Sequence, residues 1–390
     1  MINLFLFLSF AFLLTFLIGR LLERIRIPWI FAALILGFFL AIYNPFASAT
    51  SSPEFSFLAQ LGMYFLLFII GLEIDLNKLK EQSGFIFRAT FFIILLEAFF
   101  GTFLVHFVFG YGWLISFIVA LSFATVGEAI LIPILDEFGI VNTKLGQSII
   151  GIGTLDDIIE ISILIAVMFL IGSSASVYHI NTAIILVSLF VLFGLAFGLT
   201  RLREEGRKFS FLDIDNLFIF ILFILFLFLG IGEYAYATAI AALLSGIALK
   251  TFIPGKRLKA VESEVKTMCY GFFAPIFFLW VGSSMDASYL VSYPLLIIMV
   301  VGVSNFAKVL GSWIIARGEF EARKSILLGI GLSVRFSTSI VIIKILFDSG
   351  IIDVGLYSVI IASSIVFNFL TPFLFSNLIV RWKVARTGAP

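Results

Sequence analysis

The chain has 390 residues, 62% of them hydrophobic and 13% charged, with a formal net charge of +1. This composition excludes an ordinary water-soluble domain, whose surface needs far more charge, and the balanced charge offers no basic field for nucleic acid. The single cysteine, Cys269, excludes an intrachain disulfide framework and a cysteine metal site.

Apolar stretches of about 17–25 residues, the length that crosses a hydrocarbon core, recur along the chain. Thirteen segments can be drawn, at roughly 2–19, 28–43, 56–72, 86–109, 112–135, 144–171, 180–200, 216–232, 236–252, 266–285, 289–316, 323–347 and 355–380. The first, opening Met1-Ile2-Asn3-Leu4, lacks the basic start of a signal peptide and predicts a retained helix. Ten residues follow Val380, so no soluble C-terminal domain is expected. The fold class expected is an all-α polytopic membrane protein with 13 transmembrane helices in a single unit.

The connections test this division. Alternate ones carry 22 of the 25 Lys and Arg residues, and the intervening ones carry none. The remaining three, Lys308, Arg335 and Lys344, lie inside segments. The positive-inside rule then puts the N-terminus outside and the C-terminus in the cytoplasm.

Segment 3 ends Gly71-Leu72-Glu73-Ile74-Asp75 and segment 10 ends Gly282-Ser283-Ser284-Met285-Asp286, a sequence offset of 211. The same offset pairs Glu97 with Lys308, Asp157 with Asn368, and Ser122 with Ser333. Segment 1 then pairs with segment 8, seven spans later, so the halves have opposite orientation. This predicts an inverted repeat, one half about 1–171 and the other about 216–380, with 180–200 as linker helix. Chance likeness between Phe-rich segments is the competing explanation.

Two segments look interrupted. Segment 5 holds Ala124-Thr125-Val126-Gly127-Glu128, and segment 12 holds Gly329-Ile330-Gly331-Leu332-Ser333-Val334-Arg335-Phe336-Ser337. Gly, Ser and Thr clusters beside a charge are poor helix material, and unwound backbone at membrane depth is tolerated where it lines a cavity. Two crossing broken helices are therefore expected, their end charges balanced by Glu128 and Arg335. Small residues at an ordinary packing seam would look similar.

Ionised groups at the bilayer centre cost about 3 kcal/mol each on insertion scales. Segment 6 carries Asp156, Asp157 and Glu160 near its middle, segment 4 Glu97 and segment 11 Lys308. Adjacent Asp156 and Asp157 diverge by about 100° on a helix. One can meet a cation from another helix, while the other faces water and holds either a proton or a hard cation such as Na⁺. Glu160 lies one turn further on. Lys308 has no acid in its own segment, so a partner elsewhere is implied, with Asp156 the best candidate. Glu97 is expected to be protonated or bonded to a neighbouring hydroxyl. A buried ion-pair network that serves packing alone is the competing reading.

These residues carry a likeness. The chain resembles bacterial monovalent cation/proton antiporters, in the sodium/proton branch with paired aspartates, through Gly71–Asp75, Gly153-Thr154-Leu155-Asp156-Asp157, Phe277–Gly282 and Lys308. The resemblance implies a homodimer in the bacterial inner membrane, with a core domain of broken helices moving against a dimerisation domain. It implies electrogenic exchange of Na⁺ or Li⁺ for H⁺, with no cofactor. Asp157 would carry the ion, and Asp156 would bridge Lys308 when Na⁺ is absent. Related potassium efflux systems usually have Gln-Asp in place of Asp-Asp and continue into a nucleotide-binding domain; a K⁺/H⁺ antiporter is the alternative. The family often reads Pro-Arg-Gly-Glu in the second break, where this chain has Val334-Arg335-Phe336-Ser337. Glu128 is the expected substitute partner for Arg335. An intramembrane aspartyl protease is disfavoured, because no second helix supplies a suitable aspartate.

Overall fold

The computed structural model describes residues 4–24, 27–73, 84–127, 131–174, 182–201, 214–235, 237–253, 255–335 and 337–384, and no strand occurs among them. Among these residues eighteen α-helices follow in order. The first nine are α1 Leu4–Arg24, α2 Phe31–Ile42, α3 Ala47–Thr50, α4 Pro53–Glu73, α5 Gly84–Phe109, α6 Trp113–Phe123, α7 Ile132–Glu137, α8 Lys144–Ser174 and α9 Thr182–Arg201. The rest are α10 Ile214–Tyr234, α11 Thr238–Phe252, α12 Gly255–Met268, α13 Ala274–Ser283, α14 Ala287–Ser292, α15 Pro294–Ala316, α16 Ala322–Gly331, α17 Ser337–Asp348 and α18 Val354–Arg381.

Among the described residues, seven helices are long and apolar enough to cross a membrane. Helix falls on every apolar segment drawn from the sequence, with two departures. The tenth segment begins earlier than its hydropathy suggests. Helix α12 is polar, carries a Glu262–Lys266 pair at 2.8 Å, and reaches α13 through a π-helical turn at Cys269–Phe273. Cys269, at the head of that turn, is fully buried. Hydropathy misses α12 because i,i+4 ion pairs and good helix formers sustain a helix without apolar content. The eleventh segment is two helices, because Pro294 cannot continue α14 and instead starts α15 at its first position.

The chain divides into two compact units, one of Met1–Phe12, Pro45–Asp75 and Leu164–Trp280, the other of Leu13–Asn44, Leu76–Ile163 and Val281–Pro390. In the first, α4 crosses α11 where Gly71 meets the Leu243 carbonyl and Gly246, so the backbones touch. In the second, α13 crosses α2 in the same way, Gly282 meeting the Leu34 carbonyl and Gly37. A Cβ at either crossing would be driven into main chain, which cannot give way. Gly282→Ala is expected to cost about 1–3 kcal/mol, measured as a lower unfolding midpoint in detergent. Gly230→Ala, where nothing lies within 4 Å, is the control expected to hold stability or raise it.

Within the second unit, α15 packs against α5, α16 and α18. Their shared interior contains the charged residues described next.

Candidate ion site at the helix interruptions

Helix α6 stops at Phe123, and residues 125–127 are not helical; α7 resumes at Ile132. Helix α16 stops at Gly331, residues 334–335 are irregular, and α17 resumes at Ser337. The interruptions meet: the Gly127 amide donates to the Val334 carbonyl at 2.8 Å. Ser122 and Ser333, the pair related by the sequence offset, play matching roles. Their hydroxyls donate to the Ile118 and Gly329 carbonyls, at 2.7 and 3.0 Å. Buried backbone must find partners, and these bonds supply some of them locally.

Lys308 supplies others. Its ammonium, fully buried, donates to the Thr125 carbonyl at 3.0 Å and to the Leu332 carbonyl. One cation thus caps the C-terminal ends of both half-helices, where partial negative charge gathers. It lies 3.4 Å from Glu97 Oε2.

Arg335 is fully buried beside it. Nη1 donates to the Thr125 carbonyl; Nη2 donates to Glu97 Oε1 and, at 2.7 Å, to Ser304 Oγ. Ser304 Oγ donates in turn to Glu97 Oε1. The guanidinium carbon lies 4.7 Å from the Phe123 ring and 5.0 Å from the Phe367 ring, two contacting aromatics whose cation–π attraction orients a charge held away from water. Asn368 Oδ1, on α18, accepts from the Arg335 amide at 3.3 Å.

Asp156 is fully buried on α8, and its Oδ2 accepts the Val126 amide at 2.5 Å. Its other oxygen, Oδ1, has no hydrogen-bond partner among the described residues. Glu160 is buried one turn on, and its charge acts on Arg335. Asp157 lies on α8, but its side chain falls outside the described residues, as does Glu128.

One expected pairing is corrected. Lys308 is ion-paired with Glu97 on α5, not with Asp156, because α5 packs along α15 while one oxygen of Asp156 is committed to Val126. Asp156 still lies near enough for its charge to act on Lys308 and Arg335. Arg335 is paired with Glu97; its expected pairing with Glu128 lies outside the described residues. The expected hydroxyl partner of Glu97 is Ser304. Sequence reading missed Ser304 itself; its position four residues before Lys308, on the same helix face, was the available signal.

Three buried acids (Glu97, Asp156 and Glu160) face two buried bases (Lys308 and Arg335), before Asp157 is counted. A neighbourhood with excess negative charge, an unpartnered carboxylate oxygen and unwound backbone is chemically suited to a monovalent cation or a proton.

Comparison with known proteins identifies the family. The chain is 27% identical over 334 residues to a Na⁺/H⁺ antiporter of Enterococcus hirae, covering 81% of this chain and 82% of that protein. It is 25% identical over 297 residues to the glutathione-regulated potassium-efflux protein KefC of Escherichia coli, spanning 46% of that protein's length. In fold it resembles the sodium proton antiporter MjNhaP1 of Methanocaldococcus jannaschii, with a TM-score of 0.64, 17% identity, and coverage of 95% of this chain and 98% of that one. The family profile "Sodium/hydrogen exchanger, transmembrane" matches residues 10–380. The chain with this buried charge cluster therefore belongs to the transmembrane sodium/hydrogen exchanger family, a family of transporters and not of enzymes.

Proposed function

We propose that the protein exchanges Na⁺ or Li⁺ for H⁺ across the bacterial cytoplasmic membrane. The observation that carries this reading is Asp156. It is a fully buried carboxylate with one oxygen held by the amide of an unwound segment and the other without a hydrogen-bond partner among the described residues. Such an oxygen is costly to bury unless a proton or a cation occupies it for part of a cycle. Asp157, the adjacent residue, is the main carrier in this proposal, and Asp156 completes the site. A carboxylate that binds either Na⁺ or H⁺, never both at once, couples the two flows.

The surrounding fold is assigned accordingly. Thirteen crossings, with the N-terminus outside, follow from the alternating Lys and Arg content of the connections. The two glycine crossings, Gly71 on Gly246 and Gly282 on Gly37, support an inverted repeat. Transport is elevator-like and electrogenic, and the working form is a homodimer.

The test is antiport in proteoliposomes followed with a pH-gradient dye. Na⁺ and Li⁺ are expected to collapse the gradient, and Asp157→Asn is expected to abolish the response. A response to K⁺ alone would replace this reading with K⁺/H⁺ exchange.

A further inference from the structure

A second feature lies on the opposite side of α15 from Lys308. A groove of about 590 Å³ runs between α15 and α16, lined by Asn305, Phe306, Val309, Leu310, Trp313 and Ile326. Phe306 is 57% exposed and Trp313 40% exposed, so the groove opens outward from its own unit. Its volume falls in the range of about 300–1,000 Å³ typical of ligand clefts.

The groove has direction. Along α15 its lining ends at Trp313, and Arg317, four residues on, sets its guanidinium over the Trp313 ring at 5.7 Å. On α16, Arg323 precedes Ile326 by three residues and shares its helix face. Both walls therefore end in an exposed arginine at the same end. Of the two acids in the intervening turn, Glu319 is already paired with Lys144 at 2.5 Å, and Glu321 is exposed at the N-cap of α16. The other end closes at Asn305, twelve residues from Arg317 along α15. At about 1.5 Å per residue that is about 18 Å, close to the ~15 Å depth of one leaflet's hydrocarbon.

We propose that this groove is a binding site for an anionic phospholipid, with one acyl chain along Leu310 and Phe306 and the phosphodiester headgroup between Arg317 and Arg323. An apolar trough one leaflet deep matches a chain, and paired arginines at its surface end match a phosphate. A tryptophan at that same end fits the headgroup boundary. Because α15 also bears Lys308 and α16 ends at the interruption, an occupant here touches two of the helices that build the ion site.

The experiment is native mass spectrometry of the purified full-length protein, titrated with phosphatidylglycerol and with phosphatidylcholine of matched chains. Phosphatidylglycerol is expected to bind more tightly to the wild type. Arg317→Gln/Arg323→Gln is expected to weaken it about 25-fold, at about fivefold per basic residue, with phosphatidylcholine unaffected. Leu310→Trp, which fills the trough, is expected to weaken both lipids; Ile326→Phe does the same from the other wall should Leu310→Trp misfold. Equal binding of the two lipids by wild type would overturn the proposal. So would a headgroup preference that survives the double substitution. Unchanged lipid binding in the filled variants together with loss of a dimer would mean that a second copy of the chain covers this face instead. Binding is read without transport, so its failure is separate from failure of the antiport assignment.

Discussion

Replacing Glu97 by glutamine is expected to destabilise the protein by about 3–5 kcal/mol, the cost of leaving a buried charge without its partner. One carboxylate serves two cations: Arg335 through Oε1, and Lys308 at 3.4 Å from Oε2. Glutamine keeps the shape and an acceptor for Ser304 but leaves both positive charges facing each other in the interior. Asp156→Asn is the instructive comparison. Asparagine still accepts the Val126 amide, so the expected loss is about 1 kcal/mol, the difference between a charged and a neutral acceptor. Thermal unfolding in detergent ranks the two variants. If Asp156→Asn proved the more damaging, Lys308 would depend on Asp156 after all.

The second large effect is expected at Lys308. Methionine preserves much of the stem and removes the donor that joins the two half-helices. The Thr125 carbonyl keeps Arg335, but the Leu332 carbonyl loses its Lys308 bond, at about 1–3 kcal/mol. The loss is local, so it should appear first as opening of the crossing. Hydrogen exchange at the Gly127 amide is expected to accelerate roughly tenfold, the equivalent of about 1.4 kcal/mol. Exchange on α4, in the other compact unit, is expected to stay as in wild type. Uniform acceleration across both regions would mean that Lys308 supports global stability and not the crossing.

Much of this was legible from residue order. Hydropathy located the apolar helices because lipid demands continuous apolar length, and the interruptions announced themselves through Gly127 and the run from Gly329 to Ser333. The partner of Lys308 was not legible in the same way. Asp156 and Glu97 are both mid-helix acids, and the choice depends on how each helix is rotated about its axis, which packing decides. The offset of 211 that relates Glu97 to Lys308 held a usable hint. In the inverted repeat proposed above, counterparts near its two-fold axis would come close to one another. The aromatic pair around Arg335 was hidden for another reason: among 49 phenylalanines, nothing local distinguishes Phe123 and Phe367. Helix α12 escaped because a polar helix leaves no hydropathy trace.

Cys269, sealed at the head of the π-helical turn, makes the chain convenient for spectroscopy. It is the only thiol in the sequence and has no exposed surface, so maleimide reagents should leave the native protein unlabelled. A thiol introduced elsewhere, such as at the exposed Phe306 position, would then carry a spin label or fluorophore with no background. Distances across a transport cycle could be followed in an otherwise wild-type chain, without first removing any cysteine.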